Sequence, residues 1–241
     1  MLTYLKIGMA SIALLLSNVT HAFNLTAQSW LVTDGAGQVL ASENQHEIRS
    51  IASITKVMTV MVVLDAKQDL DEYIKPYTRR ELIQLAMVKS DNEAAATLCQ
   101  HYPGGTSDCV RAMNSKARDL GMTYTKFLEP TGLSVFNVST AEELTKLVIA
   151  AQNYPLIVES SQTQQGKIKK KKSWFVFNNT NPIVEKYNFL VSKTGYIRAS
   201  GGCIVMMLDT QIGRRIVVLL GSKNTRTRIP EAEFLAFATG R

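Results

Sequence analysis

Hydrophobic and polar positions divide the chain into three stretches. Near the amino end, Trp30-Leu31-Val32-Thr33 and Gln38-Val39-Leu40-Ala41 flank Asp34-Gly35-Ala36-Gly37. Short apolar-rich runs on either side of a glycine turn predict a two-stranded hairpin. At Ser53-Ile54-Thr55-Lys56 a helix opens into the run Val57-Met58-Thr59-Val60-Met61-Val62-Val63-Leu64, apolar on nearly every face. From about residue 69 to 155 the pattern is helical. Thr78-Arg79-Arg80-Glu81 is a capping box opening a helix through Val88. Ser90-Asp91-Asn92-Glu93 opens a second, to about His101; a third spans about Ser107 to Leu120 and stops at Gly121; Ser139-Thr140-Ala141-Glu142 caps a fourth. Strand patterns return from about Phe175, clearest at Phe189-Leu190-Val191, Cys203 to Leu208 and Ile216 to Leu220, and a helix from about Pro230 to Ala238 ends the series. This order predicts an α/β chain of the α+β kind: an antiparallel sheet completed by both ends, flanked by helices, with an all-helical region inserted between them. No internal repeat is visible.

Composition narrows the class. The chain has 241 residues, 46% hydrophobic and 20% charged, values of an ordinary globular protein rather than a disordered one. Residues 1–22 read as a secretory signal peptide, in which Lys6 precedes the apolar segment Ile7 to Leu16 and small or polar residues lead to Thr20-His21-Ala22. Residues 23–241 then form one exported domain, and no other segment has the ~20 apolar residues a transmembrane helix needs. The net charge is +7, much of it concentrated in the exposed run Lys167-Ile168-Lys169-Lys170-Lys171-Lys172. Such a run is usually a solvated loop; it could also hold the protein loosely against an anionic membrane or cell-wall surface. No aromatic-and-basic recognition pattern surrounds it, so nucleic acid is not expected as a partner. Export permits disulfides, and Cys99 and Cys109 are close enough to staple the turn holding Pro103-Gly104-Gly105. Cys203, inside an apolar run, reads as a buried thiol. No cysteine and histidine spacing suits a metal, and no cofactor is expected.

Candidate chemistry starts at Ser53 and Lys56. Residues three apart on a helix are neighbours, roughly 5–6 Å apart at Cβ, so a hydroxyl and an amine would share one face. A serine is weakly nucleophilic until a neighbour takes its proton, and burial can lower the pKa of a lysine enough to do so. Taken alone the pair reads more simply as a serine entering a helix, although Ser53 is the only serine followed by lysine at that spacing. Ser90-Asp91-Asn92 could aim a hydroxyl and an amide at a cleft, or could merely cap a helix with Glu93. Lys193-Thr194-Gly195 follows the strand residues Phe189-Leu190-Val191; it offers a cation, a hydroxyl and close backbone approach, or marks an ordinary strand end.

Together and in this order, Ser-x-x-Lys, Ser-x-Asn and Lys-Thr-Gly are the set of the penicillin-binding proteins and class A β-lactamases. The chain resembles that superfamily, and more narrowly the low-molecular-mass penicillin-binding proteins, the D-alanyl-D-alanine carboxypeptidases and endopeptidases, above all the endopeptidase type. The likeness includes Arg49-Ser50-Ile51-Ala52, Met61-Val62-Val63-Leu64-Asp65, Glu129-Pro130-Thr131-Gly132-Leu133-Ser134, Asn179-Thr180-Asn181, Gly195-Tyr196 and Gly201-Gly202, nearly the whole exported chain. The resemblance implies a β-lactamase/DD-peptidase-like fold in the bacterial periplasm or another extracytoplasmic space. It implies action on peptidoglycan stem and cross-link peptides, with β-lactams as inhibitors. Ser53 would form the acyl-enzyme, and Lys56 would accept its proton, its pKa lowered by burial and by Lys193. Ser90 would relay a proton to the leaving amine, and Asn92 would hold Lys56 and the substrate backbone. Lys193 and Thr194 would bind the substrate carboxylate, Gly195 would keep the strand open to the ligand, and the amides of Ser53 and Tyr196 would form the oxyanion hole. Arg198 and Arg228 are further candidate contacts to carboxylates.

A histidine-based triad has little material: His21 leaves with the signal, and His46 and His101 read as solvated. The resemblance departs from the family pattern at Ile197 and Ser200-Gly201, where threonine and alanine-glycine are frequent. A β-lactamase on the same fold is one alternative, but no Glu-x-x-Leu-Asn follows Ser90; a non-catalytic wall-binding scaffold is another, against which the intact nucleophile and base argue.

Overall fold

The computed structural model describes residues 25–239; the expected signal segment, residues 1–22, lies outside them. The first hairpin forms as expected from β1 (Ser29–Asp34) and β2 (Val39–Glu43), with Asp34 Oδ1 accepting from the amides of Ala36 and Gln38 in the turn. β3 (Arg49–Ser50) leads through one 3-10 turn, Ala52–Ile54, into α1 (Thr55–Asp65). Every residue of α1 from Thr55 to Val63 is buried, the fate of a helix without a polar face. The short hairpin β4 (Tyr73–Ile74) and β5 (Tyr77–Thr78) precedes α2 (Arg79–Gln84). The capping box forms: Thr78 Oγ1 accepts from Glu81 N at 3.2 Å while Thr78 N donates to the Glu81 carboxylate at 2.8 Å. The helical path then widens into a π-helical turn, Leu85–Lys89. It is followed by α3 (Asn92–Gln100), α4 (Gly105–Asp119), β6 (Val138–Ser139), α5 (Ala141–Ala151) and α6 (Pro155–Gln162).

Three local expectations change. Ser90 is not the N-cap of α3: that place is taken by Asp91, its Oδ1 accepting from Ala94 N at 3.0 Å, which leaves the Ser90 hydroxyl available. The helix α6 is absent from the sequence reading, although Pro155 stands in its first turn, where a missing amide costs nothing. The basic run is not simply a loop. Its first half is β7 (Gln165–Lys169), which pairs with β8 (Trp174–Asn178) around a turn of Lys170 to Ser173.

β9 (Phe189–Ile197), β10 (Gly201–Thr210), β11 (Gly213–Ser222) and α7 (Arg228–Ala238) follow. The main sheet is antiparallel in the order β2-β1-β11-β10-β9, so both ends of the chain build it, with β9 at one edge. Cys203, Val205 and Met207 of β10 pack with α1 and the helical block, whereas Ile204, Met206 and Leu208 pack with Leu235 and Ala236 of α7. A strand covered on both faces reads as an unbroken apolar run rather than an alternating one, which explains the run from Cys203 to Leu208. Among the described residues no helix is long and apolar enough to cross a membrane.

Cys99 and Cys109 form the expected disulfide, which joins the end of α3 to α4 across a sequence separation of 10, and Cys203 is a buried free thiol. Closing a loop of that size stabilises by about 2.5–3 kcal/mol in the chain-entropy account. The double variant Cys99→Ala/Cys109→Ala is therefore expected to lose about that much in urea unfolding; an unchanged midpoint would show that the staple contributes nothing.

Candidate active site

Ser53 lies in the 3-10 turn between β3 and α1, a turn held in an unusual shape. Ala52 has φ +46°, a left-handed conformation that costs a non-glycine residue free energy and persists only where the surroundings impose it. Two glycines impose it here. A Cβ on Gly132 (φ +83°) would sit 2.0 Å from the Ala52 carbonyl oxygen and 2.8 Å from Ser53 N. A Cβ on Gly195 would sit 3.0 Å from both Ile51 O and Ser53 N. Gly195 therefore lets β9 press against the nucleophile turn, a tighter requirement than leaving the strand open to a ligand.

One turn into the helix, Lys56 is fully buried. Its Nζ donates to Ser53 Oγ at 2.8 Å, Asn92 Oδ1 at 2.7 Å and the Thr131 carbonyl at 2.6 Å, three acceptors for the three protons of an ammonium. Burial brings its pKa down to about 8, and the carboxylates of Glu129 and Asp91 resist that fall. The expected repulsion between Lys56 and Lys193 is expressed on Lys193. Burial, then the cations of Lys56 and Arg228, push Lys193 well below the ordinary lysine range.

Ser90 closes the π-helical turn in a left-handed conformation, φ +60°, and its Oγ accepts from Lys193 Nζ at 2.7 Å. Lys193 is 1% exposed and also donates to the Thr194 carbonyl at 3.0 Å. Its amine is thus turned toward Ser90 rather than toward solvent. The Thr194 hydroxyl donates to Thr180 Oγ1 at 2.7 Å, and Thr180 N donates to Val88 O at 3.1 Å, tying β9 to the turn that carries Ser90. Tyr196, next along the edge strand, is exposed. Arg228 Nη1 donates to Gly195 O at 2.7 Å, so this buried arginine braces β9 from behind, while Arg198 is exposed. His101 and His46 lie at the surface, the latter paired with Glu142.

Ser53, Lys56, Ser90, Asn92, Lys193, Thr194 and Gly195 are thereby joined by direct hydrogen bonds or by contact across one cleft wall. Two residues outside that set belong with them. Thr180 was visible only as part of a longer matching stretch. Glu129 too was visible only within such a stretch, Glu129 to Ser134, because its work is done through the backbone. Its carboxylate accepts from Thr131 N and Oγ1, Gly132 N, Ser134 N and Asn137 Nδ2. That network shapes the loop whose Thr131 carbonyl meets Lys56 and whose Gly132 meets the nucleophile turn. Glu129→Gln places an amide N–H against these donors and removes a charge that holds the Lys56 pKa up. The variant should lose about 2–3 kcal/mol of stability, and its acylation should reach half-maximum at a lower pH than in the wild type. Coincident pH profiles with unchanged stability would count against this positioning role.

The chain is similar to several known proteins. The D-alanyl-D-alanine carboxypeptidase family matches residues 17–76 and 71–224. The D-alanyl-D-alanine endopeptidase of Escherichia coli is 40% identical over 219 residues, covering 81% of this chain and 70% of that protein. That of Pseudomonas aeruginosa is 41% identical over 221 residues, covering 81% and 71%. Penicillin-binding protein D2 from Listeria monocytogenes, in its ampicillin-bound crystal structure, superposes with a TM-score of 0.78 at 25% identity, over 88% of this chain and 97% of that one.

Proposed function

This chain belongs to the D-alanyl-D-alanine carboxypeptidase family, serine peptidases of peptidoglycan, and on that premise we propose that it is a D-alanyl-D-alanine endopeptidase that opens cross-links through an acyl-enzyme on Ser53. The observation that carries the mechanism is the contact of Lys56 Nζ with Ser53 Oγ at 2.8 Å inside a buried site. In the neutral amine form, Lys56 takes the Ser53 proton as Oγ attacks the D-alanyl carbonyl. The amides of Ser53 and Tyr196 receive the developing oxyanion; each such donor is worth about 2.7–4 kcal/mol in known cases. Ser90 accepts a hydrogen bond from Lys193 and so directs its own proton outward, toward the departing amine; the Lys56 ammonium replaces that proton with the one taken from Ser53 and so returns to the neutral amine. Asn92 keeps Lys56 aimed at Ser53. Lys193 faces Ser90, so the substrate carboxylate, or its equivalent in a cross-link, falls chiefly to the hydroxyls of Thr194 and Thr180. Water then attacks the ester with Lys56 again as base. The endopeptidase assignment is supported by relatives of that name at 40% and 41% identity. Residues 1–22 would direct export to the bacterial periplasm, where the substrate lies.

Incubation with benzylpenicillin, followed by intact-mass analysis, should give a lasting adduct on Ser53. Digestion of cross-linked muropeptides should yield monomers faster than pentapeptides lose D-alanine. Rapid drug hydrolysis without an adduct would instead identify a β-lactamase, and neither adduct nor hydrolysis would identify a scaffold.

A further inference from the structure

The β7–β8 hairpin carries the largest concentration of positive charge in the sequence, and the site makes no use of it. Its inner face is apolar: Ile168 and Phe177 are buried, and Phe177 lies against Gly166, where a Cβ would come within 2.3 Å of the ring. The outer face is different in kind. The register pairs Lys167 with Val176 and Lys169 with Trp174, and all four side chains are exposed, Trp174 at 61% and Val176 at 45%. Lys171 and Lys172 extend the charge around the exposed turn, while Lys170 is occupied over the Tyr77 ring at 3.7 Å. Among the described residues, none of Lys167, Lys169, Lys171 and Lys172 is within ion-pair distance of a carboxylate. A flat ribbon alternating lysine with an exposed tryptophan and valine has the composition of an interfacial membrane contact. Indole rings settle at the headgroup level, and lysines are drawn by anionic lipids. A soluble wall polymer would satisfy the lysines but leave Trp174 and Val176 without an apolar phase.

We propose that the outer face of the β7–β8 hairpin docks the protein peripherally on a bilayer rich in anionic phospholipid. This rests on the reading of the chain as an extracytoplasmic peptidase. Docking by one ribbon is reversible, and the lysine-bearing turn of the hairpin lies beside Tyr77, with Lys170 over its ring. Each lysine near an anionic surface is worth about fivefold in partitioning, and the attraction fades beyond the Debye length, ~10 Å at 0.1 M salt.

The test uses the exported protein purified from the periplasm of an expressing bacterium, co-sedimented with phosphatidylethanolamine/phosphatidylglycerol vesicles, with phosphatidylcholine vesicles and with isolated sacculi. Expected is partitioning onto the anionic vesicles alone, reversed by 0.5 M NaCl. Lys167→Gln/Lys169→Gln/Lys171→Gln/Lys172→Gln should weaken it roughly several-hundred-fold, and Trp174→Ser should weaken it less and leave the salt dependence intact. Acylation by a fluorescent penicillin, measured in parallel, should be equal in all three proteins. Failure to bind anionic vesicles, undiminished binding by the quadruple variant, or salt-sensitive binding to sacculi alone would overturn the proposal. Absence of acylation in the wild type would overturn the peptidase reading separately.

Discussion

Ser53→Ala is expected to eliminate the penicillin adduct and reduce muropeptide cleavage by about 10⁶-fold, the scale seen when a serine peptidase loses its nucleophile. The physical basis is local. Lys56 in the variant retains Asn92 and Thr131 as acceptors, and the packing of Gly132 and Gly195 against the turn involves backbone rather than the serine hydroxyl. The fold should therefore persist, with unfolding free energy changed by less than about 1 kcal/mol, as for a substitution that creates no cavity. Intact mass with benzylpenicillin reads the first effect and thermal unfolding the second. An adduct that survives in the variant would place the nucleophile elsewhere.

Lys56→Met should cost about 10⁴-fold in acylation, the upper range for loss of a general base, and should abolish the pH dependence that the wild type shows. In the proposed mechanism Lys56 acts in its neutral form, and its pKa is lowered to about 8, so wild-type acylation should rise with pH. It should increase about tenfold between pH 7 and pH 9 and level off above, since the neutral fraction grows by that factor across the pKa. Stability moves less simply: methionine removes a desolvated charge but strands the buried acceptors on Asn92 and Thr131, effects of opposite sign. Stopped-flow acylation from pH 6 to 9.5 is the measurement. A wild-type rate that falls as pH rises would remove Lys56 from the role of base.

The sheet and the central helix were legible because burial on both sides writes itself as uninterrupted apolar sequence, as in Val57 to Leu64 and Cys203 to Leu208. The triplets were legible because side-chain chemistry at fixed spacing survives in the sequence. What could not be read was work done by backbone. The Thr131 carbonyl on Lys56 has no side-chain signature, and Glu129, which shapes its loop, looks in sequence like any surface acid. The orientation of Lys193 toward Ser90 depends on how closely β9 approaches the π-helical turn. Lysines masked β7 because its outer face has no apolar requirement and its inner face offers only Ile168, opposite Phe175, and Gly166, opposite Phe177. The packing demand on Gly195 was hidden for a related reason: a ligand and a neighbouring turn make the same demand on a residue without a Cβ.

The strand order carries a consequence for when activity can begin. Ser29 pairs with Leu220, so β1, among the first segments synthesised, has no partner toward the sheet centre until β11 arrives. The turn around Ser53 likewise waits for Gly132 and for Gly195. A topology so dominated by distant pairings folds slowly. Ser53 and Lys56 share one helical turn, but the Ser53 turn is held in shape and Lys193 reaches Ser90 only once β9 is in place, so that a bond-cutting enzyme remains inert until the carboxy-terminal part of its chain has been made.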